Sequence, residues 1–185
     1  MTPASVDALI EQLWPEGDTA SGQQLFAVVD GARDPRIGEM LIDTGLEQVC
    51  LLAGSLTPAL AAAAPRLVHL SARARLTRLL FESGWSEHWF VLLRTEPDVT
   101  LQQLHHHLRT LLRVRDEAGR ILLFRFYDPR VLRTYLPTCT KVEASAVFGP
   151  IAEFVCAGED ASDTITFAQT RSGASAHRFT PAFDV

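Results

Sequence analysis

The chain has three cysteines, a single lysine and no long apolar run. Cys50, Cys139 and Cys156 are odd in number and far apart, so they offer no short disulfide framework and no metal-ligand spacing. Each is expected as a small buried apolar side chain in a reducing compartment. No stretch reaches the roughly 18–20 apolar residues needed to span a bilayer. The opening residues, MTPASVDALIEQLWPEG, lack the positive end and apolar core of a signal peptide. The protein is therefore expected in the cytoplasm, with no membrane partner. Scarce lysine leaves arginine as nearly all of the 17 basic side chains, against 22 acidic ones, for a net charge of −5. That balance disfavours sequence-independent nucleic-acid binding, which needs a basic surface, but it leaves room for a local arginine patch.

The usual marks of catalysis are missing as well. Gly54-Ser55 lacks the flanking glycines of a nucleophile elbow. Gly31, Gly38 and Gly45 are spaced too widely for a phosphate-cradling loop. His105, His106 and His107 are adjacent, so on a helix they point about 100° apart and cannot close on one ion. They are expected at the rim or facing solvent. His88 is expected as a hydrogen-bonding residue at a strand end. No cofactor and no metal is expected.

What is present is an ordinary globular composition, 47% hydrophobic and 21% charged, over 185 residues. A chain of this length buries roughly 70% of the surface its unfolded form exposes, which suits one domain. Val6, Leu9, Ile10 and Leu13 recur at helical spacing, with Ser5 as the cap and Pro15 with Gly17 as the stop. Apolar runs at 24–30, 49–53, 67–70 and 85–94 read as buried strands. Between them lie helices over 35–43 and 72–83, while 56–64 is an irregular connection or a short helix. Thr100 caps a helix carrying Leu101, Leu104, Leu108, Leu111 and Leu112. Residues 113–127 read as a hairpin around Glu117-Ala118-Gly119, its second arm apolar except for Arg125. Helices over 129–136 and 141–148 follow, the latter a short helix or turn. Two late strands follow at 151–156 and 164–169, and the tail from Arg171 is expected to be loosely held.

Strands alternating with helices predict an α/β fold: a mixed, mainly parallel sheet flanked by helices, with one hairpin and a short strand-rich C-terminal extension. The expected divisions are an N-terminal helix over 1–20, an α/β domain over 21–149 and an extension over 150–185.

Asp34-Pro35-Arg36 and Asp128-Pro129-Arg130 repeat one local pattern. A residue before proline is pushed out of the α region, so each aspartate is set up as a helix N-cap and each proline as a first helical residue. An arginine near a helix N-terminus is mildly unfavourable, so Arg36 and Arg130 must pair internally or face a partner, with internal pairing favoured. Asp30 and Asp128 both end predicted strands, the edge where open α/β sheets bind ligands. That leaves a second reading open: a small Mg²⁺-dependent hydrolase or transferase using these two carboxylates. Core packing explains most of the aromatic group Trp85, Trp89, Phe90, Phe124, Phe126 and Tyr127, but Trp85 and Tyr127 lie at strand ends, where one could anchor a protein interface.

Segments LFAVVDGARDPRI (Leu25–Ile37), VCLLAG (Val49–Gly54), APRLVHL (Ala64–Leu70), SGWSEHWFVLLRT (Ser83–Thr95), LQQLHHHLRTLLRVRDEAGR (Leu101–Arg120) and LLFRFYDPRVLRTYLPTC (Leu122–Cys139) follow in that order. Together they closely resemble the type VI secretion effector adaptor, or effector chaperone, family over about residues 25–149. The resemblance implies a non-enzymatic protein whose partners are a toxin effector and the valine–glycine repeat spike of the secretion machine, acting in the cytoplasm. Signature positions carry over to Asp30, Asp34, Pro35, Arg36, Trp85, Trp89, Arg94, Arg115, Arg125, Tyr127, Asp128, Pro129 and Arg130. The expected partner contacts among them are Arg36, Trp85, Tyr127 and Arg130. Many relatives carry a longer helical C-terminal lobe; here 151–185 is strand-like instead.

Overall fold

A computed structural model describes residues 2–15, 22–42, 44–116, 118–160 and 162–180. Gly17, Asp43 and Glu117, read above as a helix stop, a helix end and a turn residue, lie outside the described residues, as do the last five residues of the tail.

In chain order the elements are α1 (Pro3–Leu13), β1 (Gln24–Asp30), α2 (Arg36–Met40), β2 (Gln48–Cys50), α3 (Pro58–Ala63), β3 (Pro65–His69), α4 (Arg75–Gly84), β4 (Phe90–Thr95) and α5 (Leu101–Leu111). Then come β5 (Arg113–Arg115), β6 (Ile121–Leu123), α6 (Pro129–Tyr135), a 3-10 turn (Leu136–Thr138), α7 (Lys141–Phe148), β7 (Ile151–Ala157), β8 (Thr164–Gln169) and β9 (Ala174–Phe179). Local chemistry explains most boundaries. Thr100 and Thr140 each form a capping box, with Gln103 and Glu143. Thr2, rather than Ser5, caps α1 by accepting from the Ser5 N–H.

Seven strands make one sheet in the order β2-β3-β1-β4-β7-β8-β9, and every neighbouring pair is antiparallel. This corrects the mainly parallel sheet expected from the sequence. The expectation came from fully apolar strands separated by helices, which suits parallel crossovers. Here the strands are apolar on both sides because helices cover both faces of an antiparallel sheet. Alternation assigns the faces. Phe26, Val28, Val91, Leu93 and Phe154 pack with Leu104 and Leu108 of α5, Leu132 of α6 and Phe148 of α7. Leu25, Ala27, Val29, Phe90 and Leu92 pack with Val6 and Leu9 of α1, Ile37 of α2, and Leu80 and Phe81 of α4.

The C-terminal extension is part of this sheet. β7 pairs with β4, and β9 pairs with β8 through six residue pairs, so 174–179 is not the loose tail expected. The hairpin forms where the sequence placed it, but as a separate two-stranded ribbon outside the sheet. Its second arm has the composition of a buried strand, yet Ile121, Leu122 and Leu123 are all exposed.

Gly31 follows β1 where the chain passes against the end of α3. A Cβ there would lie 2.3 Å from the backbone oxygen of Ala62. Gly31→Ala is expected to destabilise the fold by about 1–3 kcal/mol, read as a lower urea midpoint; an unchanged midpoint would mean that this contact is loose.

Candidate functional site

The end of β1, the turn after α4 and the start of α6 converge on a polar cluster. Asp30 closes β1 with a side chain only 1% exposed. Its Oδ1 accepts from the Ala32 N–H at 3.1 Å, and its Oδ2 pairs with the Arg125 guanidinium. The Asp30 N–H donates to the Trp89 carbonyl at 2.8 Å, which fixes the strand end against the α4–β4 turn.

Asp128 has the predicted cap geometry, with Pro129 at the first helical position of α6. Its Oδ1 accepts from the Arg130 N–H at 3.0 Å and from Arg130 Nε at 2.9 Å, while Arg130 Nη2 reaches Oδ2 at 2.6 Å. Asp34 makes the same three bonds with Arg36 at 2.8, 2.9 and 2.8 Å, but α2 starts one residue later than expected: Pro35, not Asp34, is its cap, and Arg36 is its first residue. Each aspartate thus holds both the helix start and the arginine two residues on, which removes the unfavourable placement of a cation at a helix N-terminus. Burial opposes ionisation of Asp128, but the hydrogen bonds from Arg130 outweigh it and hold the carboxyl below its ordinary range. The half-buried Asp34 is held at about 2 by the Arg36 guanidinium and backbone N–H.

Burial, then the negative charge of Asp30, push the Tyr127 phenol up to about 12, so it stays neutral. His88 is in the left-handed region at φ 57°. Burial, then the positive charges of Arg133 and Arg130, push its imidazole down from its ordinary value.

The other signature positions are also placed. Trp85, Trp89 and Tyr127 are each only 2% exposed. Trp85 and Tyr127 are therefore core side chains rather than the surface anchors expected, because the turn between α4 and β4 folds Trp85 against Phe81 and Phe90. Arg36 and Arg130 keep 65% and 49% side-chain exposure, and the Arg36 guanidinium also lies 5.3 Å from the Trp89 ring centroid. Pro35 is exposed beside them. Arg94 bridges β4 to β7 through Glu153 at 3.0 Å and reaches the Leu13 carbonyl at 3.2 Å. Arg115 donates to the Gly119 carbonyl at 3.2 Å in the hairpin turn.

Asp30 and Asp128 do come near one another, each bonded to its own arginine and within the field of the other's, but Asp128 does not end a strand of the sheet. Both carboxylates are taken up by guanidiniums. Among the described residues no group of three or more His, Cys, Asp or Glu side chains is placed to hold a metal ion. Of the three histidines on α5, His105 lies 3.1 Å from the Cys50 carbonyl and His107 lies 2.9 Å from that of Val147, so these two tie α5 to its neighbours; His106 is exposed. All three cysteines are free, Cys50 half-buried and the others buried, and burial pushes the Cys156 thiol up to about 12.

Beside the Asp128–Arg130 pair lies a largely apolar groove of about 530 Å³, lined by Phe124, Val131, Thr134, Tyr135 and Thr138. The Phe124 and Tyr135 rings meet edge to face at 4.7 Å. The sequence reading missed this groove. Its one available signal was the i, i+4 spacing of Val131 and Tyr135, a pair about 100° round the helix from the buried Leu132 and Leu136.

Residues 25–146 match the family described as "Domain of unknown function (DUF4123)". The chain belongs to that family. The matched span runs from β1 into α7 and so contains the whole polar cluster and the groove. No curated protein and no solved structure matches the chain. No helix among the described residues is long and apolar enough to cross a membrane.

Asp128→Ala removes the cap and both guanidinium bonds, and is expected to cost about 2 kcal/mol at pH 7, the half-exposed Arg130 being partly screened. Because the folded carboxyl lies below the ordinary 3.8, this contribution is full above that value and is lost as the pH falls through the folded one. Urea midpoints of wild type and variant should therefore draw together as the pH is taken progressively below 3.8. A gap that persists there would mean that packing, not charge, carries the loss.

Proposed function

We propose that the protein is a non-enzymatic adaptor. It binds a type VI secretion toxin effector in the cytoplasm and promotes the loading of that effector onto the valine–glycine repeat spike. The observation that carries this reading is the surface around α6: an open apolar groove rimmed by the Arg130 guanidinium, with the exposed arginine-bearing ribbon next to it. Such a surface suits protein recognition, where aromatic and aliphatic side chains supply area and arginine supplies orientation. The carboxylates that could have served acid–base chemistry are engaged in capping and ion pairing, which supports the adaptor reading over a Mg²⁺-dependent hydrolase at Asp30 and Asp128. The segments resembling the effector adaptors also fall within the matched family span or just beside it.

Arg130 at the groove and the exposed Arg36 remain the signature side chains able to reach a partner; Trp85 and Tyr127 are buried in the core. Co-expression of the tagged chain with a toxin and a spike protein encoded beside it tests the reading. Recovery of a stable complex with the toxin is expected, reduced about tenfold by Val131→Asp in the groove while the circular dichroism spectrum is unchanged. A folded wild-type chain that recovers neither protein would contradict it.

A further inference from the structure

The ribbon formed by β5 and β6 leaves Val114, Ile121, Leu122 and Leu123 exposed at 40, 59, 46 and 57%. None of the four belongs to either core cluster. A two-stranded ribbon by itself is marginal in water, and aliphatic side chains left exposed on both its faces mark a surface that a partner can cover. The pairing register states what that cover must be. Arg113 lies opposite Leu123 and Arg115 opposite Ile121, while Val114 lies opposite Leu122. Residues directly opposite share a face, so one face carries two guanidiniums alternating with two aliphatic side chains. Arg113 has no ion pair or hydrogen bond among the described residues, and Arg115 donates only to the Gly119 carbonyl. The surrounding segment, 109–133, holds seven arginines against three carboxylates in a chain whose net charge is −5.

This charge argues against a second copy of the ribbon as its cover. A two-fold contact through this face would bring four guanidiniums into one interface, and the face supplies no carboxylate to pair them. It favours a segment that brings carboxylates. The ribbon belongs to no larger sheet, so its outer backbone edges are also open to an extended chain.

We propose that the β5–β6 ribbon is the docking site for an extended partner segment that alternates apolar and acidic side chains. The apolar groups cover Ile121 and Leu123, and the carboxylates take the forks of Arg113 and Arg115. From the adaptor reading this takes only that the partner is a protein.

The probe is a fluorescent peptide of alternating leucine and glutamate, compared by anisotropy with a leucine–lysine peptide of equal length, on the full chain. Saturable binding of the glutamate peptide alone is expected, weakening with salt. Binding should fall about tenfold in Arg113→Glu/Arg115→Glu and in Ile121→Ser/Leu123→Ser, and stay unchanged in Val142→Ser, at an exposed valine on α7. Equal binding of both peptides, or binding indifferent to the ribbon variants, would overturn the proposal. So would a dimer in light scattering that Ile121→Ser/Leu123→Ser dissolves, since it would identify a second copy as the cover. The adaptor reading fails separately. A wild-type chain that binds the glutamate peptide but recovers no toxin or spike would sink the adaptor reading and spare the ribbon. Ribbon variants that lose the peptide but keep the toxin would spare both, with the toxin held elsewhere.

Discussion

Asp30 carries a buried carboxylate to the end of β1, an inner strand of the sheet, and Arg125 is the cation that makes this tolerable. A carboxylate removed from water without a partner costs several kcal/mol, so the chain cannot bring β1 to this end without also bringing Arg125 there. Arg125 lies between the last residue of the ribbon and the cap of α6. The same residue therefore roots the ribbon, and its carbonyl accepts from the Asp128 N–H at 3.0 Å, which helps set Asp128 where it can start α6. Tyr127 is sealed into the same corner as a neutral phenol. The groove and the ribbon are thus two products of one electrostatic tie between the sheet and the segment that leaves it.

The two Asp-Pro-Arg turns show how one local pattern serves at two depths. Asp34 and Arg36 make the same three hydrogen bonds as Asp128 and Arg130, at nearly the same distances. Proline before the arginine fixes the backbone, and the carboxylate then satisfies a free helix N–H and the guanidinium together. What differs is the surroundings. The Asp34 side chain is 22% exposed at the start of a short helix, whereas that of Asp128 is 4% exposed beside the buried Asp30 pair. In both turns the arginine keeps an outward face after its carboxylate is satisfied, so a structural pair can still present charge to a partner.

Local features were readable from the residues because local physics makes them. Thr100 as a cap, Asp128 with Pro129 at a helix start, the 113–127 hairpin and the inward leucines of α5 all rest on spacing and short-range hydrogen bonds. Strand direction was not readable. Phe26 and Val28 face one layer while Ala27 and Val29 face the other, and that double burial looks the same in a parallel and in an antiparallel sheet covered on both sides. Trp85 and Tyr127 sit at the ends of apolar runs, but the turn at His88, in the left-handed region, folds Trp85 back into the core, and the pairing of Asp30 with Arg125 encloses Tyr127. The ribbon was misjudged for a related reason. Ile121-Leu122-Leu123 has the composition of a buried strand, and only the tertiary structure reveals that nothing in the described chain covers it.

A double-mutant cycle between Asp30→Asn and Arg125→Gln, read by urea unfolding at neutral pH, tests this dependence most directly. A coupling energy of at least about 1 kcal/mol is expected, with each single change nearly as damaging as the pair. Additive losses, with coupling near zero, would mean that the sheet end and the root of the ribbon are held by something other than this ion pair.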